Sequence, residues 1–183
     1  MEDNTIINKP SMSKVTLPYG IAFGIIMILE FVVAYALELN AQDNKMVGVL
    51  TNLFNLLLLP FLFILLACNN YKKINGGYIT FSQSVKTGVA VNVIAGLTFA
   101  IFNALFYIII PESKADILEQ SRIAYAKSPG MTAEVLKATM KGIEWFMEPY
   151  VAIPATAVIY ALVGLVISLI VGAIVKKENP GAF

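Results

Sequence analysis

Apolar residues fall in four long runs, and the polar residues are largely confined to the stretches between them. The runs cover about residues 17–39, 46–68, 88–110 and 150–175. At 1.5 Å per residue, a helix of roughly 20 residues crosses a hydrocarbon core of about 30 Å. The pattern therefore predicts an all-α fold, a polytopic membrane protein built as a bundle of four transmembrane helices. With 183 residues there is room for a single membrane domain, 1–183. The first run is too long for the apolar region of a signal peptide and carries Glu30 near its centre, so it is read as a retained span.

The connections are informative in turn. Residues 1–16 are polar and read as a disordered tail, with Pro18 tolerated in the first turn of the span that follows. Residues 40–45 form a short polar turn, which makes spans one and two an antiparallel hairpin. Pro60 falls inside the second span and should distort it, freeing a carbonyl near Leu56. Asn75-Gly76-Gly77 is a turn signal, and residues 78–83 read as an interfacial segment leading into the third span. Pro111 stops that span.

Residues 111–149 are the one sizeable piece outside the membrane. Ser113 with Asp116 resembles a capping box, and Thr132 can cap a second helix after Pro129-Gly130. Leu136, Met140, Ile143 and Met147 recur at helical spacing. Trp145 and Phe146 suit the membrane interface. The expected element is an amphipathic helical hairpin that covers the bundle, a packing role being preferred to a ligand-binding lid.

Composition agrees and removes whole classes of chemistry. The chain is 58% hydrophobic and 14% charged, against about 45–50% and 25% in soluble domains. A formal net charge of +1 gives no bulk attraction for nucleic acid. The chain has no histidine and one cysteine, Cys68, so imidazole catalysis, His-ligated metals and an intrachain disulfide are excluded. No cofactor or metal is expected, and no enzyme motif is present. Glu144 and Glu148 share a helix face but read as a solvated edge.

Lysines near the span ends set the orientation. Lys9, Lys14, Lys72, Lys73, Lys86, Lys176 and Lys177 fall on one side, which makes that side, with both termini, cytoplasmic. The helical hairpin is then extracytoplasmic.

Glu30 is the position most suggestive of function. An acid near the bilayer centre is costly, so it should face the bundle and find a partner. Depths counted along each helix place Asn52, Asn55, Asn103 and Tyr160 in the same outer slab as Glu30, within roughly 3–7 Å of the midplane. No Lys, Arg or His lies at that depth. The expectation is an intramembrane polar cluster of Glu30, Asn52, Asn55, Asn103 and Tyr160. It serves either as interhelical glue or as a proton, cation or solute site. Small residues spaced by four mark helix contacts: Gly20 and Gly24, then Gly96 and Ala100, then Gly164, Ser168 and Gly172. They serve packing within the chain or an interface with another.

The segments GYITFSQSVKTG (77–88) and FMEPYVAIPATAVIYALVGLVISLIVGAIVKKENP (146–180), with the Pro-started helical loop between them, resemble a bacterial four-helix membrane family. That family, widespread in Bacteroidetes, is the domain of unknown function 4199. The residues that carry most of the likeness are 77–88 and 164–177. The resemblance implies a multi-pass protein of a Gram-negative cytoplasmic (inner) membrane and brings no catalytic residues. The expected role is a structural or accessory subunit that assembles with itself or with other membrane proteins in the lipid bilayer. The alternative is a small oligomeric transporter or channel that uses Glu30 and the neighbouring asparagines.

Overall fold

The computed structural model describes residues 11–39 and 45–179. Helix α1 is Met12–Ala36 and α2 is Met46–Ile74, and α3 is Phe81–Ile109. Two shorter helices follow, α4 (Pro111–Ala126) and α5 (Ala133–Phe146), before α6, Pro149–Val175. Helices α1, α2, α3 and α6 have 25, 29, 29 and 27 residues, each long and apolar enough to cross a membrane. Much of their surface is exposed Leu, Ile, Val and Phe, for example Leu29, Leu162, Val166 and Ile170. Such surface suits lipid, and the chain is an all-α polytopic membrane protein.

Helix α3 is the centre, and glycines decide what approaches it. Along its contact with α6 the partners change every fourth residue, one helix rising in number as the other falls. Ser84 meets Gly172, Gly88 meets Ser168, Asn92 meets Gly164, and Gly96 meets Tyr160. A Cβ on Gly164 would lie 2.8 Å from the Asn92 Cβ, and one on Gly96 would lie 2.9 Å from Tyr160. On another face α3 takes α1 in parallel, with Gly20 against Ile94 and Gly24 against Thr98; in both a Cβ would come within 2.6 Å. Without a hydrophobic drive between helices in lipid, such close backbone approach is what packs a bundle.

Helix α2 behaves as two halves. Its second half buries Phe63, Ile64, Ala67, Cys68 and Tyr71 among α1, α3 and α6, with Phe63 stacked on Phe23 at 5.3 Å. Its first half packs chiefly on its own continuation. The halves join at a π turn, Phe54–Leu58, one turn ahead of Pro60. Proline has no N–H and crowds the carbonyl four residues back, here that of Leu56, so the backbone widens there. The expected distortion thus takes the form of a π turn.

The two ends of the bundle are fastened differently. At the end holding Met12 and Val175, Thr80 accepts from the Gln83 N–H at 3.2 Å while Gln83 accepts from the Thr80 N–H at 2.8 Å, a full capping box. Ile79 and Lys177 exchange two backbone hydrogen bonds of 2.9 Å each. The Lys72 ammonium donates to the Val175 carbonyl at 3.0 Å and so satisfies one of the last carbonyls of α6. Gly76 and Gly77 take φ of 66° and 90° in the turn before, a region that glycine enters without strain. At the opposite end α4 and α5 fold as a helical hairpin, tied to the start of α6 by a 3.0 Å ion pair between Lys114 and Glu148.

Several local expectations need correction. The expected tail 1–16 lies outside the described residues as far as residue 10, but Met12 to Thr16 are already helical. Pro18 therefore sits inside α1 and not in its first turn. Helix α3 starts at Phe81, seven residues earlier than residue 88, because the Thr80–Gln83 cap fixes its first turn. Ser113 does not cap α4. Pro111 occupies the first turn, and the Ser113 hydroxyl donates back to the Ile110 carbonyl at 2.6 Å. Thr132 does cap α5, accepting from the Val135 N–H at 3.3 Å. The turn 40–45 lies outside the described residues except for Lys45, and so does the tail beyond Asn179.

Candidate functional site

Glu30 lies on α1, one turn beyond Met27 and nearly two beyond Gly24, where α1 and α2 face each other. The Asn55 amide donates to a Glu30 carboxylate oxygen at 2.7 Å. Asn55 lies within the π turn, so the widened backbone carries the residue that meets the acid. The Asn55 carbonyl oxygen is buried and has no hydrogen-bond partner among the described residues. Beside the pair is a recess of about 280 Å³ lined by Glu30, Val47, Leu50, Thr51, Phe54 and Leu58 among others, between α1 and the first half of α2. Its walls are apolar apart from the acid and Thr51. Such a place can hold a hydrogen-bond donor or a small cation, and burial strengthens either contact.

The five polar residues expected together are divided. Glu30 and Asn55 bond directly. Tyr160 is buried on α6 against Gly96 and the edge of Phe23, and no hydrogen bond joins it to Glu30 among the described residues. Asn103 takes no part in the Glu30–Asn55 bond. Its amide donates to the Phe99 carbonyl of its own helix at 3.2 Å, and it lines a second cavity of about 290 Å³ with Phe31, Phe99, Tyr107, Phe146 and Thr156. Asn52 is exposed on α2 and makes no hydrogen bond among the described residues. Depth along a helix is readable from sequence; the direction around its axis is what separates these residues.

The small residues lie inside the bundle. Gly20 and Gly24 meet α3, Gly96 meets Tyr160, and Gly164, Ser168 and Gly172 meet α3. Ala100 is buried as well and borders the second cavity. Helix α3 thus occupies the Gly164–Gly172 stripe, which presents no free face for another chain.

Two further buried polar atoms were not anticipated. Thr87 Oγ1 and Asn92 Oδ1 have no partner among the described residues, although the Asn92 amide donates to the Gly88 carbonyl at 3.1 Å. Thr87 carries no signal in sequence beyond being a polar residue at the edge of an apolar run. Among the described residues no three of Cys, Asp and Glu gather in the manner of a metal site. Cys68 is buried, its Sγ 3.7 Å from the Ser84 carbonyl.

The comparisons bear on the whole bundle and on no single residue. Neither the curated proteins nor the solved structures include a match to this chain. The model of one protein family, described as a protein of unknown function (DUF4199), matches residues 18–177, from the first turns of α1 to the Ile79–Lys177 bridge that closes the bundle. The chain is a multi-pass membrane protein that belongs to the DUF4199 family.

Proposed function

We propose that the chain is a structural or accessory membrane subunit, without enzymatic activity, that assembles with itself or with other membrane proteins. The observation that carries this reading is the first half of α2, which leans on little else in the chain and leaves the polar side chain of Asn52 exposed. In hydrocarbon such groups favour a protein neighbour over lipid. The absence of histidine and the burial of the one thiol leave few groups for catalysis.

A second reading is favoured by the recess at Glu30. A half-buried acid with an amide beside it suits a proton, cation or solute site in a small oligomeric transporter. Reconstitution in liposomes separates the two. As a subunit, the Glu30→Gln variant keeps its assembly and leaves ion flux unchanged, since Gln can still accept from Asn55. Proton-coupled or cation flux that depends on Glu30 would replace the subunit reading with the transport one.

We also propose a bacterial inner membrane with both termini cytoplasmic. In support, Lys72, Lys73, Lys86, Lys176 and Lys177 lie at the end of the bundle that holds Met12 and Val175. At the hairpin end, Lys114 and Arg122 are paired with Glu148 and Glu119.

A further inference from the structure

We infer that the cavity between α1, α3, α6 and the end of α5 binds a neutral, planar, lipid-soluble carbonyl compound of the quinone type. The inference goes beyond the subunit reading and stands apart from it. The cavity holds about 290 Å³, close to the lower end of small-molecule pockets, which run from about 300 to 1,000 Å³. That space suits a molecule of one or two rings. Counted from the middle of each observed helix, Thr156 lies roughly 9 Å, Asn103 roughly 12 Å and Tyr107 roughly 18 Å toward the hairpin end. With a hydrocarbon half-thickness of about 15 Å, the cavity reaches from the acyl region to its polar edge. Its ligand is therefore one that dissolves in lipid.

The lining decides the chemistry. Among the described residues no charged side chain contributes to it, so a phosphate head or a free amine would enter without a counter-charge. Phe31, Phe99, Phe146 and Tyr107 supply aromatic walls, which favour a flat ring. Three of the lining side chains keep hydrogen-bonding capacity unspent. The hydroxyls of Tyr107 and Thr156 bond to nothing among the described residues. The Asn103 amide donates once, to the Phe99 carbonyl, and has a second N–H to give. All three can donate, so the complementary ligand brings acceptors, and ring carbonyls are acceptors on a flat frame. A plain acyl chain would leave these donors unmet at a depth with little water.

The probe is 2,3-dimethyl-1,4-naphthoquinone, whose blocked ring positions do not add to Cys68, given to the full chain in phosphatidylcholine vesicles. Trp145, the one tryptophan of the chain, directly precedes the cavity-lining Phe146, so quenching of its fluorescence reports occupancy. Quenching that saturates is expected, above a linear background from probe dissolved in the lipid. Ala104 lines the cavity and is half-buried, so Ala104→Leu fills the space and should remove the saturable part. Tyr107→Phe and Thr156→Val keep the shape and each remove one hydroxyl; each should raise the Kd about three- to tenfold. The carbonyl-free frame, 2,3-dimethylnaphthalene, should compete poorly. Circular dichroism checks that the Ala104→Leu chain keeps its helices, and the two hydroxyl variants test the site even where it does not. Purely linear quenching of the wild-type chain would overturn the inference, as would an affinity unchanged by both hydroxyl variants. Competition by 2,3-dimethylnaphthalene as strong as that of the quinone itself would also overturn it, leaving apolar filling only.

Discussion

Asn55 is a residue whose loss should be felt directly. It is the hydrogen-bond donor to Glu30 among the described residues, at 2.7 Å, so Asn55→Leu leaves a half-buried acid without its amide. A cost of about 1–2 kcal/mol is expected, read as a lower midpoint in detergent unfolding. Glu30→Gln preserves the bond and should cost much less. Outside the membrane, Arg122 holds the Glu119 carboxyl below its ordinary range, first through their hydrogen bonds and then through its charge. Its stabilising contribution is then present above the unfolded carboxylate value and lost as pH falls through the lower folded one. Both groups are fully exposed, so the effect belongs in a carboxyl titration and not in the midpoint of unfolding. Arg122→Gln should move the Glu119 titration upward, and added salt should weaken the difference.

The polar slab also shows how far a sequence informs at this scale. That Glu30 needs a neighbour follows from its place in an apolar run, and Asn55 was among the candidates. That Asn103 bonds instead to Phe99 could not be read, because the angle at which each helix faces its neighbours is set by tertiary packing.

At the scale of elements, glycine contacts govern the bundle and give opposite signs for the same substitution. Gly164→Ala drives a methyl to 2.8 Å from the Asn92 Cβ and 3.1 Å from the Gly88 carbonyl oxygen, and neither can swing away. It should destabilise by about 1–3 kcal/mol. Gly142 sits in the middle of α5 with open space around it, so Gly142→Ala should stabilise by about 0.5–1 kcal/mol. Paired thermal melts in one detergent compare the two. The stripes themselves were plain in the sequence as small residues every fourth position. Which helix fills each of them was not.

The start of α3 is legible in the sequence, though not in its hydropathy. Thr80-x-x-Gln83 is a capping-box spacing, and hydropathy alone passed over it because Ser82, Gln83 and Lys86 interrupt the apolar run. Thr80→Ala should cost about 1 kcal/mol and fray that turn. The reverse error at Ser113 has a simple cause. Proline two residues earlier, at the first helical position, fixed the start of α4 before serine could act as a cap.

Across the whole molecule, the two segments that carried the family resemblance, 77–88 and 164–177, prove to be opposite sides of one contact. Gly88 meets Ser168, Gly172 meets Phe81 and Ser84, and Ile79 bridges Lys177. Their likeness to the family therefore has a packing explanation and does not by itself mark a site. Number and order of spans followed from apolar run length, a strong signal because lipid demands it. The half-detached start of α2 did not, since a lipid-facing and a protein-facing apolar residue look alike in sequence. That half-helix leaves Asn52 exposed, while the oxygens of Asn55, Thr87 and Asn92 that lack a partner among the described residues are buried. The most direct test of the subunit account is the native mass of the protein, purified gently from its own membranes. A complex at fixed stoichiometry, of two copies or of this chain with another, is the expected result. A bare monomer that keeps its fold and binds no other chain would contradict the account.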